Sequence, residues 1–173
     1  MFSRAAILDL FRHMEWADAL TWRTALSDST RLDPVVQAKI RHLHRTQQFF
    51  MKVWREEEVS YEQIEITFEE ELPLAQRFHL EAREHLEAPG RTELSEILVV
   101  PWAAYFATSL GVPSAGPTML GETMFQVAAH STYHRGQINM RVRELGETPP
   151  LVDYIAWLWL SRPAAEWPKA AVA

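Results

Sequence analysis

Two histidines on one predicted helix have the clearest capacity for chemistry in this sequence. His130 and His134 are four positions apart. Positions i and i+4 lie on the same face of an α-helix, about 5–6 Å apart at Cβ. Two imidazoles at that separation can bind one metal ion, each at about 2.0–2.1 Å. A third ligand must come from a facing helix, and an earlier predicted helix offers His42 or His44.

Several other kinds of catalytic or metal centre are excluded by the sequence. The chain has no cysteine, which rules out disulfides, zinc–thiolate sites, iron–sulfur clusters and a cysteine nucleophile. It contains neither the H-E-x-x-H segment of zinc proteases nor the Glu-x-x-His segments of di-iron bundles. A G-x-S-x-G elbow and a phosphate-binding glycine loop are also absent. What remains is a three-histidine site with an open coordination position.

Composition narrows the class of protein. The 173 residues are 47% hydrophobic and 23% charged, which fits one globular domain over residues 1–173. The net charge of -6 and the lack of a basic run argue against nucleic-acid binding. The N-terminus has no uncharged signal core, and the apolar run Ile97–Ala107 is too short to span a bilayer. We therefore expect a soluble, cytoplasmic protein with no membrane partner.

The periodicity of the apolar residues is mostly helical. Four long helices followed by a short one predict an all-α four-helix bundle, in which residues 91–117 form a long irregular crossover. Ile64, Ile66 and Phe68 alternate like a brief strand, and Pro73 fits the first turn of the third helix. The predicted helices are Ser3–Leu26, Pro34–Glu58, Glu69–Glu87, Thr118–Leu145 and Val152–Leu160.

The sequence around the histidine pair resembles the DinB-like (DinB/YfiT) superfamily of metal-binding four-helix bundles. The segment 130–137, HSTYHRGQ, is similar to the family's H-x-x-x-H-R-G-Q motif. The segment 13–18, HMEWAD, is similar to its first-helix pattern. Further positions that match the pattern are Arg141, Arg143, Gly146, Pro150 and Asp153.

The resemblance implies an up-down-down-up bundle, one divalent zinc or nickel ion held by three histidines, and a homodimer. His130 and His134 match the family's ligands directly. The third is implied to be His42, because it precedes Leu43 and lies eight residues before Phe50, as in the family pattern. His44 is then a neighbour of the site, since residues two apart on a helix point about 200° apart.

The resemblance also implies an activity. Members of the superfamily use a low-molecular-weight thiol cosubstrate in S-transfer to a small electrophile or in isomerisation. A thiol cosubstrate would be anionic, and the nearby basic residues are Arg135, Arg141 and Arg143. A metal-dependent hydrolase is the second enzymatic hypothesis. A non-catalytic, stress-associated metal-binding module is the third, in which His44 or Glu15 would complete the coordination.

The remaining polar residues have simpler expected roles. Gln137 is a candidate hydrogen-bond partner at the site, and Asp18 and Asp153 are candidate acceptors for a ligating histidine. Arg135 is expected to pair with a carboxylate. Residues expected to be solvated are His13, His79 and His85, with the acidic runs Glu56–Glu58 and Glu69–Glu71. Trp157 and Trp159 should face opposite sides of the last helix.

Overall fold

Helices dominate the fold, as the apolar periodicity predicts. The computed structural model describes residues 3–60, 66–88 and 93–169. Two short strands, β1 (Ile97–Leu98) and β2 (Thr118–Met119), pair antiparallel within the crossover. The helices in these ranges are α1 (Arg4–Ala25), α2 (Pro34–Trp54), α3 (Phe68–Glu87), α4 (Ala103–Ser109), α5 (Leu120–Glu144) and α6 (Tyr154–Trp159).

Local capping residues set the helix ends. Asp33 caps α2 by accepting hydrogen bonds from the backbone of the first turn, and Pro34 occupies the first helical position. Thr67 and Glu70 form a reciprocal capping box at the start of α3. Gly146 follows α5 with φ +85°, a left-handed conformation that glycine adopts without strain, as its predicted role as a helix stop requires.

The four long helices pack around two apolar clusters at opposite ends of the bundle. Helices α1 and α2 each pack against α3 and α5. The first cluster takes early residues of α1 and α5 but late residues of α2 and α3, including Phe11, Met124, Trp54 and Phe78. The second reverses this pattern, with Trp22, Ile138, Ile40 and Leu72. The starts of α1 and α5 therefore lie at the same end of the bundle as the ends of α2 and α3.

The crossover before α5 is more regular than the sequence indicates. It contains the seven-residue helix α4 and strand β1, whose Ile97 lies opposite Met119 of β2, immediately before α5. Leu120 and Gly121 then donate backbone hydrogen bonds to the carbonyls of Glu96 and Leu94. These contacts hold the segment before α4 against the start of α5.

Three sequence predictions about local structure need correction. Pro73 is the sixth residue of α3, because the capping box at Thr67 starts the helix at Phe68. Phe68 is therefore helical, and Ile64 of the predicted brief strand lies outside the described residues. Glu71, which the sequence predicts to be solvated, is buried. Its carboxylate accepts a hydrogen bond from Arg41 at 3.0 Å, which links α3 to α2.

The last helix is buried on one face. Trp157 is 1% exposed and Trp159 is 78% exposed. The two side chains therefore point in opposite directions, as predicted, and only Trp157 packs against the bundle, beside Trp16 and Ala17 of α1. Among the described residues, no helix is long and apolar enough to cross a membrane.

Candidate metal centre

Helices α2 and α5 bring three of the predicted histidines together. His42 lies on α2, and His130 and His134 lie one turn apart on α5. One nitrogen from each ring lies within 4.8 Å of the corresponding atoms of the other two. The ring centroids are 5.2 Å apart for His42 and His130, and 4.5 Å apart for His42 and His134. We call these three residues the histidine cluster.

The separations inside the histidine cluster fit coordination of one ion. The Nε2 atoms of His130 and His134 are 3.1 Å apart. Two nitrogens bound to a tetrahedral ion at about 2.0–2.1 Å each would be about 3.4 Å apart. A divalent ion could therefore be accommodated by small rotations of the three rings.

Gln137 orients one ring of the histidine cluster. It lies one turn after His134, and its Oε1 accepts a hydrogen bond from His134 Nδ1 at 2.9 Å. This bond places the proton on Nδ1 and leaves the Nε2 lone pair directed at the cluster, as in many metal-binding histidines. His130 Nδ1 is buried and has no hydrogen-bond partner among the described residues. The Nε2 of His130 thus faces another histidine, with no fixed protein acceptor on the other side of the ring.

Electrostatics keep the histidine cluster in the neutral form that a cation requires. Burial, with a smaller contribution from the other two rings, lowers the pKa of His130 to about 4. Partial burial of the His42 ring and the charge of Lys39 lower the pKa of His42. The pKa of His134 is also lowered, chiefly by burial, although its bond to Gln137 opposes the shift. All three rings are therefore available as neutral ligands near pH 7.

The histidine cluster opens toward solvent. His42 is exposed, His130 is half-buried and His134 is buried. Within the described ranges, no aspartate, glutamate or further histidine joins the three in one group. Structural zinc sites usually have four protein ligands, whereas catalytic sites have three and an open position. Among the described residues, the histidine cluster offers three such ligands.

His44, the alternative third ligand, points into the bundle instead. Its Nε2 accepts a hydrogen bond from Trp22 Nε1 at 2.8 Å, and its Nδ1 donates to Gln47 Oε1 at 2.8 Å. Because indole nitrogen can only donate, these bonds require a neutral imidazole with its proton on Nδ1. Burial lowers the pKa of His44 to about 4. Both ring nitrogens are engaged, so His44 has no lone pair free for a metal.

His44 belongs to a buried hydrogen-bond network centred on Asp18. The Asp18 carboxylate accepts from Arg135 Nη1 at 2.6 Å, from Gln47 Nε2 at 2.8 Å and from His79 Nε2 at 3.0 Å. Burial alone would raise the pKa of Asp18, but Arg135 and His79 hold it well below its usual range. We call this group the Asp18 network, and its members are Asp18, Trp22, His44, Gln47, His79, Ser131 and Arg135.

The Asp18 network and the contacts around it change several predicted roles. The Asp18 carboxylate accepts a hydrogen bond from His79, and not from the histidine cluster as predicted. His79, which was expected to be solvated, is buried. His13 is also buried, with its Nε2 2.9 Å from the Val152 carbonyl. Asp153 is the residue that precedes α6. Glu15 lies near Trp167 and Arg83, so it does not complete the histidine cluster.

Two of the three arginines in the predicted cationic approach are engaged with carboxylates. Arg135 is 1% exposed and pairs with Asp18, as the expected carboxylate pairing requires, and Arg141 pairs with Asp33 and Glu144. Neither guanidinium is directed at an incoming anion. Lys39 is a cation near the histidine cluster, and its charge contributes to the lowered pKa of both His42 and His134. Its place one turn before His42 on α2 was a signal available in the sequence.

The match to known families agrees with this geometry. A model of the DinB family matches residues 1–167. The chain belongs to the DinB family. The resemblance in the sequence around His130 and His134 is therefore confirmed at the level of the family. No curated protein and no solved structure matches this DinB chain.

Proposed function

We propose that this DinB-family chain binds one divalent metal ion, zinc or nickel, through His42, His130 and His134. The proposal depends chiefly on one observation, the approach of the three ligand nitrogens to within 4.8 Å of one another. Their lowered pKa values and the hydrogen bond from His134 to Gln137 support it, because a ligating imidazole must be neutral and correctly oriented.

We further propose that the site is catalytic and acts with a low-molecular-weight thiol on a small electrophile, by S-transfer or isomerisation. A bound divalent ion would supply a Lewis acid that holds a thiolate or polarises the electrophile. The chain has no cysteine, so the thiol must come from a cosubstrate. Lys39 provides positive charge beside His42 and His134, where an anionic thiol would approach.

Metal content tests the ligand assignment. Untagged protein, purified without a nickel column, should contain about one zinc or nickel ion per chain by elemental mass spectrometry. His42→Ala and His134→Ala should lose it, because each removes one of only three ligands. His85→Ala is the matched control, since His85 lies on α3 outside the histidine cluster, and it should keep the metal. Retention of metal in His42→Ala would contradict the proposed third ligand.

Calorimetric titration tests the thiol proposal separately. Cysteine and serine differ only in sulfur and oxygen, so they form a matched pair of ligands for the zinc-loaded protein. We expect heat from cysteine binding and none from serine. The cysteine signal should weaken in Lys39→Ala, because the positive charge beside the site is removed. Equal heats of binding for cysteine and serine would contradict a thiol cosubstrate and favour hydrolysis as the activity.

A non-catalytic module is a second candidate, and one observation favours it. The histidine cluster joins α2 to α5, so an ion there would link two helices of the bundle. In this case zinc should raise the melting temperature strongly, while thiols and small electrophiles should have no effect on the bound metal. Displacement of a metal-bound water by a thiol would favour the enzyme.

A further inference from the structure

An apolar cavity that is open to solvent lies between the crossover and the bundle, and its wall includes Gln126 of α5, one turn before His130. Its volume is about 360 Å³, which is within the range of small-molecule binding pockets. The wall from the crossover includes Trp102, Phe106, Leu110 and Val112, and α2 contributes Phe50. Trp102 is held in place by an edge-to-face contact with Phe50 at 5.0 Å between ring centroids.

Helix α5 connects this cavity to the histidine cluster. Glu122 and Gln126 line the cavity and are spaced four residues apart, and His130 and His134 continue the same spacing. These four positions therefore form one stripe along α5. Gln126 is one turn, about 6 Å, before His130.

The two ends of the site differ in charge. Lys39 lies one turn before His42 on α2, whereas Phe50 lies two turns after it, so the positive charge and the cavity are on opposite sides of the histidine cluster. Glu122 is the charged residue in the cavity wall, and its carboxylate accepts a hydrogen bond from the Met119 backbone at 2.8 Å. An anion would be repelled there. Binding of an uncharged apolar group would be favourable, because it removes the apolar surfaces of the group and of the cavity wall from water.

We propose that this cavity binds the uncharged apolar body of the small electrophilic substrate, with the substrate's reactive group at the histidine cluster. The inference rests on the metal site proposed above and adds the substrate class. A volume of about 360 Å³ equals that of about twelve water molecules at about 30 Å³ each. The site therefore takes a short alkyl chain or an aromatic ring, and the anionic thiol approaches from the Lys39 side.

A homologous series of hydroxamates separates the metal from the cavity. A hydroxamate group binds divalent zinc through its two oxygens, and its tail can be lengthened without changing that group. Dissociation constants of acetohydroxamate and hexanohydroxamate would be measured by calorimetry on the zinc-loaded protein. Hexanohydroxamate should bind more tightly, by up to about fourfold for each additional methylene that enters the cavity. Equal affinities would overturn the inference.

Matched variants then locate the tail. Phe106→Ala removes part of the cavity wall, and Tyr105→Ala removes the adjacent aromatic residue, which does not line it. Both side chains are more than half exposed, so the fold should survive both changes. Phe106→Ala should reduce the preference for the longer tail about tenfold, and Tyr105→Ala should leave it unchanged. Identical preferences in the two variants would overturn the location.

A filled cavity gives the complementary result. Ala103→Trp adds bulk to the wall and should abolish the preference for hexanohydroxamate while acetohydroxamate binds as in the unaltered protein. A preserved preference in Ala103→Trp would overturn the inference. Failure of acetohydroxamate to bind the zinc-loaded protein at all would instead contradict the open metal site, and the cavity inference would fall with it.

Discussion

The histidine cluster and the Asp18 network both contain residues that are neighbours on α2 and on α5, yet the histidine side chains in the two regions have opposite environments. His42 and His44 are two residues apart on α2. The first is exposed and turned toward two other histidines, and the second is 2% exposed with both ring nitrogens hydrogen-bonded. On α5, His134 faces the histidine cluster while the adjacent Arg135 pairs with buried Asp18.

This comparison shows how hydrogen bonding divides the two regions. In the Asp18 network, the hydrogen-bond donors and acceptors together come from α1, α2, α3 and α5. Their hydrogen bonds therefore link the four long helices of the bundle. In the histidine cluster, ring nitrogens mainly meet other ring nitrogens, and protein acceptors are scarce. Neutral imidazoles that converge without such partners are suited to an external cation. Folding should therefore depend on the Asp18 network, and metal binding on the histidine cluster.

The largest expected effect comes from removing the central carboxylate. Asp18→Asn leaves the buried Arg135 guanidinium without its counter-charge, which should lower the free energy of unfolding by about 3–5 kcal/mol. Urea unfolding measures the change. Glu166→Gln is the control, because Glu166 also pairs with an arginine at 2.7 Å but is 81% exposed, and it should cost less than about 1 kcal/mol. Equal losses would mean that the Asp18 network adds little beyond a surface ion pair.

Alanine substitutions at His42 and His44 should give opposite results. His44→Ala leaves Trp22 Nε1 and Gln47 Oε1 without partners and should cost about 2–4 kcal/mol of stability while the folded protein keeps its metal. His42→Ala changes an exposed side chain, so stability in chelator should change by less than about 0.5 kcal/mol, but the metal should be lost. Urea unfolding in EDTA and elemental analysis are the two measurements. Loss of metal from folded His44→Ala would show that the two regions are not separable.

The pH dependence of stability should carry the signature of buried His44. Burial lowers its pKa from 6.5 to about 4, so between these values the unfolded chain binds a proton that the folded chain does not. Stability is therefore fully present above about pH 6.5 and falls as the pH drops toward 4. In EDTA, the free energy of unfolding of the unaltered protein should fall by up to about 1.4 kcal/mol more per pH unit than that of His44→Ala. Parallel pH profiles for the two proteins would contradict a neutral buried His44.

The smallest change concerns the orientation of one ligand. Gln137→Ala removes the acceptor of His134 Nδ1 and should weaken zinc affinity about tenfold to a hundredfold, with little change in fold. Competition with a chromophoric chelator measures the affinity. Gln126→Ala, on the same stripe of α5 one turn before His130, should leave the zinc affinity unchanged. If both variants bind zinc as the unaltered protein does, Gln137 has no orienting role.

Much of this architecture could be predicted from local signals. Pro34 after Asp33, and Gly146 before Pro149, give the ends of α2 and α5 because caps and stops act within one turn. The spacing of His130 and His134 places both on one helix face for the same reason. The strand pair within the crossover was missed, since two-residue strands depend on a partner about twenty residues away.

The Asp18 network was not predictable from spacing, because its members come from four helices. His79 lies on an amphipathic helix that looks solvated on that side until Asp18 of α1 is packed against it. The same holds for His13, which is covered by the Val152 segment and by Trp157 of the last helix. Burial of a polar residue depends on which distant acceptor is brought to it, and no local pattern records that.

The sequence by itself determined the four long helices, the start of α2 and the end of α5, the family and the pair of histidines on α5, because each of these depends on contacts within a few turns or on a contiguous motif. Only the tertiary structure decided which way His42 and His44 point, that Arg135 is buried against Asp18 while Lys39 lies near the site, and that an apolar cavity forms between the crossover and the bundle. Those features depend on how α2 and α5 face each other and on what the crossover covers. The helix–helix packing that fixes them is a property of the whole core.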